Sequence, residues 1–315
     1  MEKNKREMLP SIPYGTIPNV LLLGNGINKA FGKSSWDELI DEIATETFTK
    51  EEKARIEKMP YPLRPVIVTN DQVDVRLDKI SKKMVPTDLE SGQKELIKSF
   101  VNMDFDAILT TNYTYEIEKA IDESFLCKPK APCKYRTYLS ECSSRDKQFC
   151  LERCMKVPSE NGNKYIWHIH GEAALPTTMI LGHYYYGKLL SKIQQYITTF
   201  KKRYEGCNRH KRDFQPKSWI DYFLIGNVHV VGFGMDLAEL DLWWLINCKK
   251  RNAKDYGNIF FYEPNMDSDR HFAKRKLAEA YGVNVVTKPV ETDYQHYYME
   301  LVTEIKKSLD AEEKE

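Results

Sequence analysis

The chain has 315 residues, 42% hydrophobic and 30% charged, a balance suited to a globular protein with a sizeable buried core. Its formal net charge of +1 gives no global pull toward nucleic acid or a membrane surface. The first residues are charged without an apolar core, and the longest apolar runs are too short to span a bilayer, so neither signal peptide nor membrane helix is expected. Seven cysteines, an odd count, fit a cytoplasmic chain with reduced thiols.

Residues 20–23 are an apolar run ending in Gly24-Asn25-Gly26, the pattern of a buried parallel strand entering a tight turn. Ser35 before Trp36, Asp37 and Glu38 predicts a capped helix start. The charged, proline-punctuated stretch 49–91 reads as a helical insertion. Residues 105–110 form the next strand, running into Thr111-Asn112, with a helix from about Tyr115. A second insertion, rich in Cys, Lys, Pro and Ser, covers about 125–163.

Residues 165–169 return to strand and end at His170-Gly171; 179–181 is a further short strand, and 184–204 a helix. A basic loop at 206–217 precedes a strand at 228–231, which ends in Gly232-Phe233-Gly234. A helix over 236–247, strands at 259–262 and 283–286, a helix between them and a final helix over 294–309 complete the chain. Strands alternating with helices predict an α/β protein, doubly wound, with a mostly parallel Rossmann-like sheet and helical and Cys-rich insertions, all in one domain over 1–315. Ligands of such sheets bind beyond the carboxyl ends of the strands, where Gly24, Asn112, His170 and Gly232 fall.

Each of these strand ends has a plain structural reading and a chemical one. Gly24 and Gly26 suit a tight turn, or the close approach of backbone to a pyrophosphate beside a helix start. Lys29 stands where the dinucleotide fingerprint wants its third glycine. Asn112 suits a turn, or a neutral amide holding a ribose hydroxyl or a water. His168 and His170, two apart on a strand, should project together as packed core, as a metal pair completed by His183 and nearby cysteines, or with His170 as a general base. Gly171 should leave open space beside the His170 ring. Asp236 suits a helix cap, and Leu240, Leu242, Trp243, Trp244 and Leu245 suit core or a subunit contact.

In this order the segments resemble the sirtuin-like family. Residues 21–28 (LLLGNGIN) look like its glycine-rich opening, and 34–40 (SSWDELI) like the Ser-Trp stretch of its divergent bacterial branch. Residues 108–114 (ILTTNYT) look like its Thr-x-Asn motif, 168–171 (HIHG) like its His-Gly motif, and 230–246 like its late strand-loop-helix element. That branch includes NAD hydrolases of anti-phage defence such as the Thoeris effector. The resemblance implies cleavage of the nicotinamide–ribose bond of NAD, with Asn112 and His170 as the catalytic pair. It implies NAD contacts by Gly24, Asn25, Gly26, Asn28, Trp36, Thr111, Gly232 and Gly234.

The chain departs from the family at Asn25 and Asn28, where small residues are usual, and at Thr114, where an Asp is usual. The four-cysteine zinc ribbon of deacylating sirtuins, which follows the His-Gly motif, is missing. Cys127, Cys133, Cys142, Cys150 and Cys154 all precede that motif without a C-x-x-C pair, so no metal is expected and a hydrolase is favoured over a deacylase. A non-catalytic nucleotide-binding subunit is the remaining alternative. The basic runs at 201–203 and 209–212 are most simply a solvated face, with phosphate contact as the less favoured reading. A homo-oligomer is expected, and because unrestrained NAD hydrolysis is toxic, so is an activating partner or assembly.

Overall fold

The sheet is organised around β1 (Asn19–Leu23), whose apolar side chains are buried on both faces. Leu21 and Leu23 pack into one hydrophobic cluster and Val20 and Leu22 into another, which is why this strand is an unbroken apolar run rather than an alternating one. The computed structural model describes residues 8–33, 36–84, 88–129, 131–139, 149–252, 256–266 and 268–312.

After β1 come α1 (Gly26–Ala30), α2 (Trp36–Ile43), α3 (Lys50–Ile56), α4 (Arg64–Thr69), α5 (Val73–Met84) and α6 (Ser91–Val101). The middle of the chain holds β2 (Ala107–Thr110), α7 (Glu116–Ile121), β3 (Arg136–Tyr138), β4 (Arg153–Ser159), β5 (Gly162–His168), α8 (His183–Arg209) and α9 (Trp219–Ile225). The last third is β6 (Asn227–Val231), α10 (Leu240–Lys250), β7 (Ile259–Pro264), α11 (Asp269–Ala280), β8 (Asn284–Lys288) and α12 (Tyr294–Glu312).

The eight strands form one sheet in the order β3-β4-β5-β2-β1-β6-β7-β8. From β5 to β8 every pairing is parallel, with Leu21 of β1 opposite Ile108 of β2 on one side and His229 of β6 on the other. The protein is thus α/β with a mostly parallel sheet, consistent with a Rossmann-like fold. Chain order reverses at β1: β2 and β5 follow to one side, β6, β7 and β8 to the other. Leu96 and Phe100 of α6 and Leu301 and Ile305 of α12 fill the cluster on one face. Ile193 and Phe200 of α8, Phe223 of α9 and Leu245 of α10 fill the other. Each such side chain contributes about 1.5–3 kcal/mol of burial.

Several expectations change. Part of the 125–163 segment joins the sheet, since β3 and β4 extend it as antiparallel strands beside β5. Residues 179–181 are buried but form no strand; they follow a 3-10 turn, and the Ile180 amide bonds only the His170 carbonyl. Helix α9, buried along its whole length, was missed because WIDYFLI has no polar face to show a helical period. Helix α10 starts at Leu240 rather than Asp236, whose carboxylate instead accepts the Ala238 amide in a preceding turn. Of that segment Leu242, Trp243 and Leu245 are core, while Leu240 is exposed. Ser35 and the Trp36 side chain lie outside the described residues.

The thiols are not all reduced. Cys127 and Cys133 form a disulfide across a turn that brings their Cα atoms to 5.4 Å, and Cys150 is disulfide-bonded as well. Cysteines so engaged are not zinc ligands; Cys154, Cys207 and Cys248 are not in disulfides. Of the basic runs, Arg203 turns inward to Asp221 at 2.9 Å. Among the described residues no helix is long and apolar enough to cross a membrane.

The antiparallel extension is fastened to the sheet by a buried ionic knot. Glu172 accepts both nitrogens of a bidentate Arg136 at 3.0 and 2.8 Å, meets Arg153 Nε at 3.0 Å, and accepts the Tyr115 hydroxyl at 2.9 Å. Burial alone would push this carboxyl up, but Arg153 and Arg136 outweigh it and hold it at about 2. A carboxyl depressed in the folded state stabilises fully above its unfolded value of about 4.3, and that contribution is lost as pH falls toward 2. Glu172→Gln, which strands two buried guanidinium groups, is expected to cost about 3–5 kcal/mol in urea unfolding at pH 7. Its penalty should shrink as the titration is repeated from pH 5 downward.

Candidate functional site

Parallel strands release their loops at one edge, and where chain order reverses those loops diverge and leave a crevice. Here the crevice is a cavity of about 830 Å³, within the range of small-molecule and cofactor sites. It is lined by Asn25 and Gly26 after β1, Thr111 and Asn112 after β2, His170 after β5, and Gly232 and Gly234 after β6. Seven residues read from separate segments of the sequence therefore share one cavity. Gly24 and Asn28 do not line it, and the Trp36 side chain is not described.

The glycines do a different job from the one expected. The Gly24 amide bonds the Val231 carbonyl at 2.9 Å, and the Gly26 amide bonds the Gly232 carbonyl at 2.6 Å. A Cβ on Gly26 would run into the Tyr298 hydroxyl and the Gly232 carbonyl, and one on Gly24 would meet Gly232 O and Phe233 at 2.6 Å. These two positions are glycine so that the β1 and β6 loops can touch. With both amides spent on that contact, neither is free to cradle a phosphate, and α1 has only five residues. By contrast Gly234 has open space beside it. Asn28 is buried, donates to Asn25 Oδ1 at 2.8 Å and accepts from Gln93 at 2.9 Å, tying α1 to α6 beneath the cavity wall.

The two histidines do not project together. Strand β5 ends at His168, and the chain turns at once, with Gly171 at φ 96°. His170 swings toward α10, where its Nε2 lies 3.0 Å from Asp241 Oδ2. A carboxylate only accepts, so Nε2 carries the proton and Nδ1 is left basic, with no hydrogen-bond partner among the described residues. The ring also meets Tyr186 edge-on at 5.4 Å. The space expected beside Gly171 is not there: the Thr178–Met179 backbone fills it, and the open side of the ring is the cavity.

Asn112 sits two residues past β2. Its backbone amide bonds Thr110 Oγ1 at 3.1 Å and its carbonyl meets His168 Nδ1 at 2.6 Å. Its side-chain amide makes no hydrogen bond among the described residues and lines the cavity. Thr114 donates at 2.6 Å to Glu116, and this carboxylate also lines the cavity. Burial pushes the Glu116 carboxyl up.

Sequence reasoning missed Glu239 and Asp241. Glu239 Oε2 lies 4.0 Å from His170 Nε2 and accepts the Tyr186 hydroxyl at 3.2 Å. Burial pushes its carboxyl up to about 7, with His170 opposing and Asp241 adding to the rise. Burial alone would lower His170, but Asp241 and Glu239 raise it. The signal was present: two acids, two residues apart, interrupt the apolar run Leu240, Leu242, Trp243. Ligand atoms of His170, Glu239 and Asp241 all lie within 4.8 Å of one another, a set that could hold a metal ion. It includes neither His168, His183 nor a cysteine.

At the far wall, Glu263, next to last in β7, pairs with His271 Nδ1 at 2.6 Å and with Lys274. Its Oε2 is buried and has no hydrogen-bond partner among the described residues. Lys274 also donates to the Gly234 carbonyl at 3.0 Å.

No protein-family model matches the chain, and no curated protein matches it.

Because Gly26 is walled in and Gly234 is open, their alanine variants should separate. Gly26→Ala is expected to lose about 1–3 kcal/mol through overpacking. Gly234→Ala should keep the wild-type melting temperature, read by differential scanning fluorimetry.

Proposed function

We propose that this chain is an NAD glycohydrolase that cleaves the nicotinamide–ribose bond to give nicotinamide and ADP-ribose. The observation that carries it is the convergence of the Asn112 amide and a carboxylate-oriented His170 on one cavity beside the glycine contact of β1 and β6. The strand order and the two-sided core support reading the whole as one doubly wound domain, with 49–91 as a helical insertion and the β3–β4 segment of 125–163 as an antiparallel extension of its sheet. The sirtuin-like resemblance supports the substrate, and through it a role in anti-phage defence.

NAD brings its own leaving group. Nicotinamide departs from a cationic ring as a neutral base, so no proton need be delivered to it, and the transition state resembles an oxocarbenium ion. The protein must hold the ribose, exclude bulk water and guide one nucleophile. The unpartnered Asn112 amide suits a ribose hydroxyl or the attacking water. His170 Nδ1 takes the proton of that water as its oxygen bonds the anomeric carbon, and Asp241 stabilises the imidazolium that results. The cavity is large enough to hold the rest of the dinucleotide.

The deacylase alternative requires an acyl-peptide for nicotinamide release, and the non-catalytic alternative leaves an oriented base in an open cavity without a task. His170→Ala and Asn112→Ala should each abolish NAD loss while keeping the wild-type melting temperature, followed by chromatography of nicotinamide and ADP-ribose with and without acetyl-peptide. Full turnover in either variant, or strict dependence on the peptide, overturns the reading.

His170 must be neutral to act. Since its partners raise it, activity should fall on the acid side at a pH above the ordinary imidazole value of about 6.5. Asp241→Asn should lower kcat and move that acid limb downward. EDTA should leave the rate unchanged; loss restored by added Mn²⁺ would reassign His170, Glu239 and Asp241 as metal ligands.

A further inference from the structure

His168, the first histidine of the HIHG segment, takes no part in the proton transfer above, yet it is the better connected of the two. Its ring is buried, with Nδ1 2.6 Å from the Asn112 carbonyl and Nε2 2.8 Å from Glu118 Oε1 on α7. Both partners are acceptors. A neutral imidazole has one N–H and can serve only one of them, so both contacts together require the doubly protonated, cationic ring. Glu118 makes the same demand from its side. Its carboxylate is fully buried, its other oxygen has no hydrogen-bond partner, and His168 is its only ion-pair partner among the described residues.

We infer that His168, held charged by Glu118, is a positioning residue that clamps the backbone of Asn112 and so aims its amide into the cavity. The catalytic part of this inference rests on the NAD-cleavage reading; the charge on His168 does not. The groups facing the ring are Glu118 and Glu116 of α7, the Tyr115 ring edge-on at 5.3 Å, and Glu172 after β5, itself neutralised by Arg136 and Arg153. Burial opposes the charge, but Glu118 and, behind it, Glu172 outweigh it and raise the imidazole to about 8.

The sign follows. A histidine raised in the folded state contributes fully below its unfolded value of about 6.5, and the contribution is lost as pH rises through about 8. Above that, the neutral ring gives up either Asn112 or Glu118. The clamp therefore sets an alkaline limb, distinct from the acid limb set by His170.

The test compares wild type with Glu118→Gln and His168→Asn. Imidazole ¹⁵N–¹H spectra should show His168 with both nitrogens protonated at pH 7 and titrating near 8. Glu118→Gln, which keeps an acceptor but removes the charge, should shift that titration toward about 6.5. The alkaline limb of kcat for NAD should move with it, with kcat at pH 7 reduced roughly ten- to a hundredfold and KM little changed, the range typical of residues that orient a functional group. His168→Asn, whose amide can still donate to the Asn112 carbonyl without titrating, should flatten that limb and retain more activity than His168→Ala. A singly protonated His168 at pH 7, or an alkaline limb unmoved in Glu118→Gln, overturns the clamp. If wild type leaves NAD intact, the glycohydrolase reading falls by itself, and the imidazole spectra still decide whether His168 is held charged.

Discussion

Where β1 and β6 part company, the backbone at Gly24 and Gly26 lies directly against the backbone at 231–232. A single Cβ at Gly26 would force the two loops apart, and with them the floor of the cavity. This contact fixes the distance between the halves of the sheet. One half supplies Asn112 and His170, the other supplies Gly234, Asp241 and Glu263. Everything proposed about chemistry depends on those halves facing each other across one crevice. The same contact uses the amides a glycine-rich loop would otherwise offer to a phosphate, so the NAD-cleavage proposal has to meet the diphosphate with other groups. Next to it Met235, buried and at φ 45°, shows that the loop after β6 is held in a conformation few side chains adopt.

The two histidines show how partners, not position, assign roles. They are two residues apart and both buried, and each touches a carboxylate. His168 faces two acceptors, which favours the charged ring with no lone pair to spare. His170 faces one acceptor through Nε2 and the cavity on its other side, which leaves Nδ1 basic. A turn at Gly171, closed by the Thr178–Met179 backbone, is enough to send the side chains to different elements. The rest of the polar interior follows the same economy. Glu172 is satisfied by two arginines and a tyrosine, whereas Asp241 and Glu263 each keep one buried oxygen without a hydrogen-bond partner among the described residues, and Glu239 lines the cavity.

Much of the architecture was legible in order and type. Apolar runs ending in glycine or a polar residue marked β1, β2, β5 and β6, because strands buried on both faces have no room for polar side chains. The same rule hid α9, since a helix buried all round shows no periodicity to distinguish it from a strand. Strands β3 and β4 were read as part of an insertion because the segment is rich in Cys, Lys, Pro and Ser; its Arg136 and Arg153 side chains are buried against Glu172, which comes from beyond β5. Asp241 and Glu239 were passed over for the complementary reason: two residues apart at the start of an apolar helix, they read as breaks in a pattern.

By itself the sequence determined the alternation of strands and helices, the strand ends that carry Asn112, His170, Gly26 and Gly232, and hence which residues could meet. Those are consequences of hydrophobic burial and backbone geometry, which act over a few residues and leave a local trace. Tertiary structure alone decided what each polar atom touches: Asp241 behind His170, Glu118 behind His168, and the β6 loop, rather than a ligand, against the glycines. Hydrogen bonds and ion pairs between segments from fifty to more than two hundred residues apart depend on where the sheet places those segments, and no local pattern records that.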